Sequence, residues 1–466
     1  MEFVGRDREL ATLDGLLNET RSGQGVLVSM RGRRQVGKSR LVSEFVERAG
    51  VPSVYFTASR QPATVELGLF AQAAVAGGID DAGRVIEAGA RTWEVALDLV
   101  TATATPQRPV IVVIDEFPYL IQSEPTIEAI VQKVWRTLER RAVLVILIGS
   151  DLSMMQALTE YDRPLFGRAR ETRVDPLTVA DVADLRDLDA TNAFDAYLIT
   201  GGLPRLAARW RRSDSVKSYL RRELADETSP LAVLGERTLT AEFPADTMAR
   251  PLLTAIGSGE RSHGAIMSRS GVGRGSIDPA LKVLADKGLV TRELAYAEPP
   301  GLKNPRYAIA DPYLRFWLAF VQTSIELVAR GRVELALARI EESWSAYRGH
   351  AIEPLVRASV ERLLPDAQFG EAHFVGSYWT RDNRVQVDLV GGREPARAGV
   401  VDFVGSIKWR ERGPFDGADA AALAAARPLV PGADGKTKLV GVSRSGFATS
   451  ALDVALGPEE LLAAWR

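Results

Sequence analysis

Cysteine is absent from the whole 466-residue chain, which excludes disulfides, thiolate zinc sites and cysteine nucleophiles at once. Histidine is scarce: His263, His350 and His373 stand singly, without the paired spacing of a metal site, and each reads as an ordinary surface or core side chain. Long apolar runs are missing. Runs such as 110–114 and 143–148 fall far short of the roughly 20 residues that cross a bilayer. Met1-Glu2-Phe3 opens into charged sequence with no basic segment and apolar run behind it, so a cytoplasmic protein with no membrane partner is expected. Excess positive charge is also lacking. With 58 basic and 60 acidic residues the net charge is −2, which excludes a globally basic DNA-coating protein but not a local basic face. No internal repeat is visible, and the only biased tract is the alanine-rich stretch at 418–425.

What is present is a complete phosphate-binding loop, Gly32-Arg33-Arg34-Gln35-Val36-Gly37-Lys38-Ser39. It follows an apolar strand expected at 26–30 and opens a helix expected at 39–48, ended by Gly50. Only nine of the 58 basic residues are lysines, so composition poorly explains a lysine at this position. The glycines let backbone N–H groups from Gly32 through Arg40 wrap a polyphosphate at the positive end of the helix. Lys38 is expected to neutralise the β and γ phosphates and Ser39 to offer its hydroxyl to a metal, making ATP and Mg²⁺ the expected cofactors. The bland alternative is a glycine-rich turn.

The chain around the loop alternates strands and helices to about residue 174. Strands are expected at 53–58, 110–114, 143–148 and 170–174, and helices at 65–75, 93–103 and 126–140. The continuous β-branched run at 110–114 suits a parallel strand buried on both faces. This order predicts an α/β fold, a doubly wound parallel sheet with its chemistry at the carboxyl ends of the strands. Asp115 and Glu116 leave such an end. Asp115 is assigned to the Mg²⁺ shell and Glu116 to the general base, against the alternative of an acidic helix cap. Ser150, leaving the adjacent strand, could read the γ-phosphate or be a simple turn serine.

Several motifs stand in a fixed order: Phe3-Val4-Gly5-Arg6-Asp7-Arg8-Glu9-Leu10, the loop, Asp115-Glu116-Phe117-Pro118-Tyr119, Gly149-Ser150, Leu165-Phe166-Gly167-Arg168 and Gly201-Gly202-Leu203-Pro204. In this the first half of the chain resembles the archaeal-type ATPases, among the AAA-like signal-transduction ATPases with numerous domains (STAND). The resemblance implies that the segment from Phe3 to Arg6, with Val4, lies near the adenine. It also implies that Pro204 and Arg205 come from a helical lid that senses the nucleotide. Arg168 stands where AAA-like proteins place an intersubunit arginine finger; a surface arginine bound to a carboxylate is the alternative.

Residues 175–227 read as arginine-rich helices, consistent with that lid. Beyond Phe243-Pro244, helices at 247–256, 262–270 and 276–287 and a ribbon at 288–293 and 305–309 form the pattern of a winged helix. It would present Arg274, Ser276 and Lys282 from a recognition helix, and Arg292 and Lys303 from the wing, to DNA. Such modules also serve as structural or protein-binding units.

From Asp311 onward the chain resembles the uncharacterised C-terminal domain that often follows these ATPases, a restriction-endonuclease-like fold. Glu353, Gly376-Ser377-Tyr378-Trp379, Val387-Asp388-Leu389-Val390 and Ile407-Lys408-Trp409 carry the likeness, with a helix at 417–425 and a strand at 438–442 completing a β-α-β end. Metal-dependent cleavage needs two strand-borne carboxylates and a lysine. Asp388 and Lys408 are in place, but Ser406 occupies the second carboxylate position and Gln386 stands where relatives carry Glu. Asp402 lies about 13 Å further along the strand. A retained fold with a weakened or lost site is expected.

The expected divisions are a P-loop ATPase core at 1–174, a helical lid at 175–240, a winged helix at 241–310 and a degenerate nuclease-like α/β domain at 311–466. The expected function is a nucleotide-dependent switch associated with nucleic acid. The alternatives are an ATP-gated DNA nuclease, or a signalling scaffold that works through a protein partner or a second copy.

Overall fold

Val26–Arg31 (β1), Ser53–Thr57 (β2), Val110–Asp115 (β3), Val143–Gly149 (β4) and Ala169–Arg173 (β5) pair in the order β2-β3-β4-β1-β5, every neighbouring pair parallel. The sequence explains the order of burial. β3 and β4 are apolar almost throughout and buried along their whole length, as strands covered on both faces must be. β5, Ala-Arg-Glu-Thr-Arg, is an edge strand, and its charged side chains lie at the surface.

This is a computed structural model, describing residues 3–79, 81–82, 84, 86, 92–243, 248–298, 305–394 and 399–466. They fall into two compact units, Met1–Pro176 and Leu177–Arg466. Lys303, expected on the wing, and the expected helix start at 247 lie outside the described residues.

In the first unit, helices Ala63–Ala76 and Trp93–Thr101 bring Phe70 and Trp93 against Phe56 of β2, with ring centroids 5.3 to 5.8 Å apart. Helix Asp7–Thr20 was not foreseen. It buries Leu10, Leu13, Leu16 and Leu17, spaced as one face of a helix.

The second unit is a mixed five-stranded sheet with helices and a small two-stranded ribbon. Phe374–Trp379 (β8), Gln386–Gly392 (β9), Val401–Lys408 (β10), Lys438–Ser443 (β11) and Val454–Leu456 (β12) lie in sequential order, the first two pairs antiparallel and the last two parallel. The ribbon is Val290–Glu293 (β6) with Arg306–Ile309 (β7), antiparallel. It follows helices Ala249–Gly257, His263–Ser270 and Arg274–Asp286, the element order of a winged helix.

Helices Val179–Arg186 and Ala190–Thr200, expected in the lid, share one core with helix Glu353–Leu363 and a face of the C-terminal sheet. Phe194 meets Trp409 edge-on at 5.3 Å. Buried Asp195 accepts a hydrogen bond from Arg444 at 2.9 Å and lies 3.5 Å from Arg348. Burial pushes the Asp195 carboxyl up, and both arginines work against that shift. Gly201 and Gly202 end the second helix with positive φ. A Cβ on Gly202 would come within 2.1 Å of the Leu177 carbonyl oxygen, so the backbones approach too closely for any side chain. Pro204 then starts the next short helix at a position where its missing N–H costs nothing.

Candidate nucleotide site

The phosphate loop leaves β1 and runs into helix Lys38–Ala49, whose cap residue Gly37 is left-handed at φ 94° and offers no side-chain cap. The first N–H groups of that helix thus have no side-chain cap, which suits an anion. Gly32 is obligatory for packing: a Cβ there would lie 2.3 Å from the Val174 carbonyl oxygen. Gln35 also takes a positive φ of 67°. Lys38 is buried, and its Nζ donates to the carbonyls of Gly32 at 2.7 Å and Arg33 at 3.0 Å. Burial lowers its ammonium to about 8, with Arg34 acting in the same direction and Glu116 and Asp115 opposing. A buried cation of reduced basicity beside an uncapped helix start fits a polyphosphate.

Arg6 staples the loop from outside. It is buried, donating Nη2 to the carbonyls of Val36 and Asp175, each at 2.8 Å, and Nη1 to Glu9 at 2.7 Å. Val4 is half-buried nearby in the chain. Ser39 and Arg40 are exposed, and Arg40 pairs with Glu44 at 3.2 Å.

Because β4 lies between β1 and β3, the ends of these three strands bring the remaining groups together. Asp115 is the buried last residue of β3, and its carboxylate accepts the Tyr55 hydroxyl at 3.1 Å and the Glu116 N–H at 2.9 Å. Tyr55 also donates to the Ser39 carbonyl at 3.1 Å. Burial, reinforced by Asp115, raises the Tyr55 hydroxyl well above the usual tyrosine range, so it stays a donor. Glu116 sits in the left-handed region at φ 52°, the strained start of helix Phe117–Ser123. Ser150 donates to both Glu116 carboxylate oxygens, at 3.1 and 3.2 Å. Sequence reasoning missed Tyr55; nothing in the strand itself tells which neighbour its hydroxyl will meet.

Arg168 is exposed and donates to the carbonyls of Pro164 and Phe166 in its own loop, and has no carboxylate partner among the described residues. Pro204 and Arg205 belong to the second unit, where Arg205 is exposed.

In the second unit, Asp388 accepts the Ile407 N–H at 2.9 Å, the Ser406 hydroxyl at 3.3 Å and the Gln386 amide at 3.4 Å. Burial raises its carboxyl, against the Ile407 hydrogen bond. Burial also works to raise Glu353, but the His350 hydrogen bond and the Arg261 and Arg357 guanidiniums hold it below the usual range. Lys408 pairs instead with Asp419, at 3.6 Å. Asp402 is taken up by the Glu371 N–H at 3.1 Å. Arg306 of the ribbon donates to Asn383 at 2.7 Å and Gln386 at 3.3 Å and stacks 4.3 Å from the Trp379 ring. Among the described residues, no three acidic or histidine side chains gather as a metal site, and no helix is long and apolar enough to cross a membrane.

Residues 3–208 match the model of an ATPase domain found predominantly in Archaea, and residues 317–420 match a family of archaeal and bacterial proteins of unknown function. An uncharacterized protein of Methanocaldococcus jannaschii, MJECL04, is 22% identical over 417 residues, 88% of either chain. The Walker-type ATPase PABY2304 of Pyrococcus abyssi has a similar fold over 68% of this chain and 96% of its own, with a TM-score of 0.50 and 20% identity. The ORC2 protein of Aeropyrum pernix, solved as ADPNP–ADP complexes, aligns more loosely over 72% of this chain and 96% of its own, at 15% identity and a TM-score of 0.45. Residues 3–208 thus form an archaeal-type P-loop ATPase domain, and residues 317–420 form a domain of the C-terminal family of unknown function.

Proposed function

We propose that the protein is an ATP-driven switch that acts on nucleic acid. The observation that carries the switch is the convergence of Lys38, Asp115, Glu116 and Ser150 at the ends of β1, β3 and β4. In this reading Lys38 neutralises the β and γ phosphates, Ser39 holds Mg²⁺, Asp115 holds the metal's water shell and Glu116 accepts the proton of the attacking water. Ser150 ties the base to the γ-phosphate side. Pro204 and Arg205 relay the nucleotide state, and Arg168 serves a neighbouring copy if the protein assembles. The lid helices share a core with the C-terminal sheet, so a lid movement would carry that domain with it.

The nucleic-acid part rests on the exposed Arg274, Lys282 and Arg292 of the winged-helix region, with half-buried Ser276 beside them. Few cations face outward, so duplex binding is expected to be moderate. It should weaken with salt at a log–log slope of about −3, one unit per neutralised phosphate. Fluorescence anisotropy across a salt series, with and without ATP, tests this; Arg274→Ala with Lys282→Ala should flatten the slope by roughly two units. No binding at low salt with ATP present would favour signalling through protein contacts.

Cleavage by the C-terminal domain is not expected. Ser406 removes one negative charge from the cluster that would concentrate Mg²⁺, and Lys408 is engaged by Asp419. Supercoiled plasmid incubated with protein, ATP and Mg²⁺ or Mn²⁺ should stay supercoiled. Nicking that disappears in Asp388→Ala would promote the ATP-gated nuclease.

A further inference from the structure

The loop after β2 carries a further arginine, Arg60. β2 runs beside β3, with Thr57 opposite Asp115 and the Ala58 N–H donating to the Asp115 carbonyl at 3.0 Å. Residues 59–61 therefore leave the sheet at the same rim as Asp115 and Glu116. This turn is held from beneath. Glu66, fully buried on the next helix, accepts the N–H groups of Ser59 at 2.9 Å and Gln61 at 2.8 Å. Those two bonds bracket Arg60 and hold it left-handed at φ 61°, a strained conformation for a residue with a side chain.

The Arg60 side chain turns toward the helix that follows β3. Its guanidinium carbon stacks 3.9 Å from the centre of the Tyr119 ring, in the first turn of the helix that Glu116 begins. Arg34 of the phosphate loop reaches the hydroxyl of the same tyrosine, at 3.3 and 3.4 Å. One ring thus gathers a cation from the phosphate loop and a cation from the β2 loop, three residues past the candidate base. Arg60 is exposed, and among the described residues it has no acidic partner. A cation–π contact at an exposed site is weak enough to yield to a stronger partner such as a phosphate anion.

We propose that Arg60 is a γ-phosphate-contacting residue supplied in cis, the group by which this site tells a nucleoside triphosphate from a diphosphate. The proposal rests on the phosphate-loop reading above. In hydrolysis the water oxygen bonds to the γ-phosphorus, Glu116 takes the water proton, and the bond from that phosphorus to the bridging oxygen breaks. ADP leaves with the electron pair, and inorganic phosphate is released. Negative charge on the γ oxygens and the bridging oxygen is what a guanidinium at this rim would offset. Such a cation lets a single copy complete the site, where an intersubunit arginine would need two.

Calorimetry of ATP and ADP binding to the full chain with Mg²⁺, for wild type, Arg60→Ala and Arg60→Lys, tests this. The side chain is exposed, so neither variant disturbs the core. Arg60→Ala should weaken ATP roughly tenfold while ADP stays within about twofold, the loss expected for one charge-assisted contact. Arg60→Lys, which keeps the charge but not the planar fork, should fall between. Single-turnover hydrolysis should drop in the same order. An unchanged ATP-to-ADP affinity ratio in Arg60→Ala, whether both ligands weaken or neither does, overturns the inference while leaving the phosphate loop intact. Failure of the wild-type chain to bind ATP at all would instead overturn the loop reading, and this inference with it.

Discussion

Lys38→Ala is expected to weaken ATP binding by roughly 10²- to 10⁴-fold. The ammonium is buried and tethered over the loop by the Gly32 and Arg33 carbonyls, so it is placed before any nucleotide arrives. Burial already lowers it to about 8. A phosphate repays that desolvation and gains charge-assisted hydrogen bonds, each worth about 1.5–3 kcal/mol. Alanine removes both contributions, while the two loop carbonyls it uncovers can turn to water. Binding should therefore collapse with little change in thermal stability. Calorimetric titration with ATP and Mg²⁺ measures the first and a melting curve the second. Wild-type-like affinity in the variant would refute the site.

Glu116→Gln is expected to leave ATP affinity within a few-fold and to slow hydrolysis by about 10²- to 10⁴-fold, the range a positioned general base supplies. The amide keeps the shape and can still accept the Ser150 hydroxyl, which now bonds both carboxylate oxygens. It has no basicity with which to take a proton from water. The backbone strain at φ 52° is the same for either residue, so the fold should not register the change. Single-turnover measurement with excess protein isolates the chemical step. An unchanged rate would assign the base to another residue, or show that wild-type turnover is negligible.

The parts of this protein legible in the sequence are those whose cause is local. A glycine-bracketed loop between an apolar run and a helix start specifies its own backbone path, so Gly32 through Ser39 needed no partner to be recognised. The continuous apolar runs of β3 and β4 announced strands buried on both faces, and Asp115, Glu116 and Ser150 followed because they leave those strand ends.

What the tertiary structure alone decided are the contacts between segments far apart in the chain. Tyr55 meets Asp115 only because β2 takes the place beside β3, and the sequence of a strand does not state its neighbour. Arg6 reaches Val36 and Asp175 for the same kind of reason, and serves there as a staple of the loop. Arg60 and Arg34 share Tyr119 although 26 residues separate them. Helices Val179–Arg186 and Ala190–Thr200 join the core of the C-terminal sheet, and Lys408 turns to Asp419, because apolar faces and charges are satisfied by whatever packing brings near them. Backbone conformation is set by a few adjacent residues, whereas burial and charge pairing are set by the whole fold.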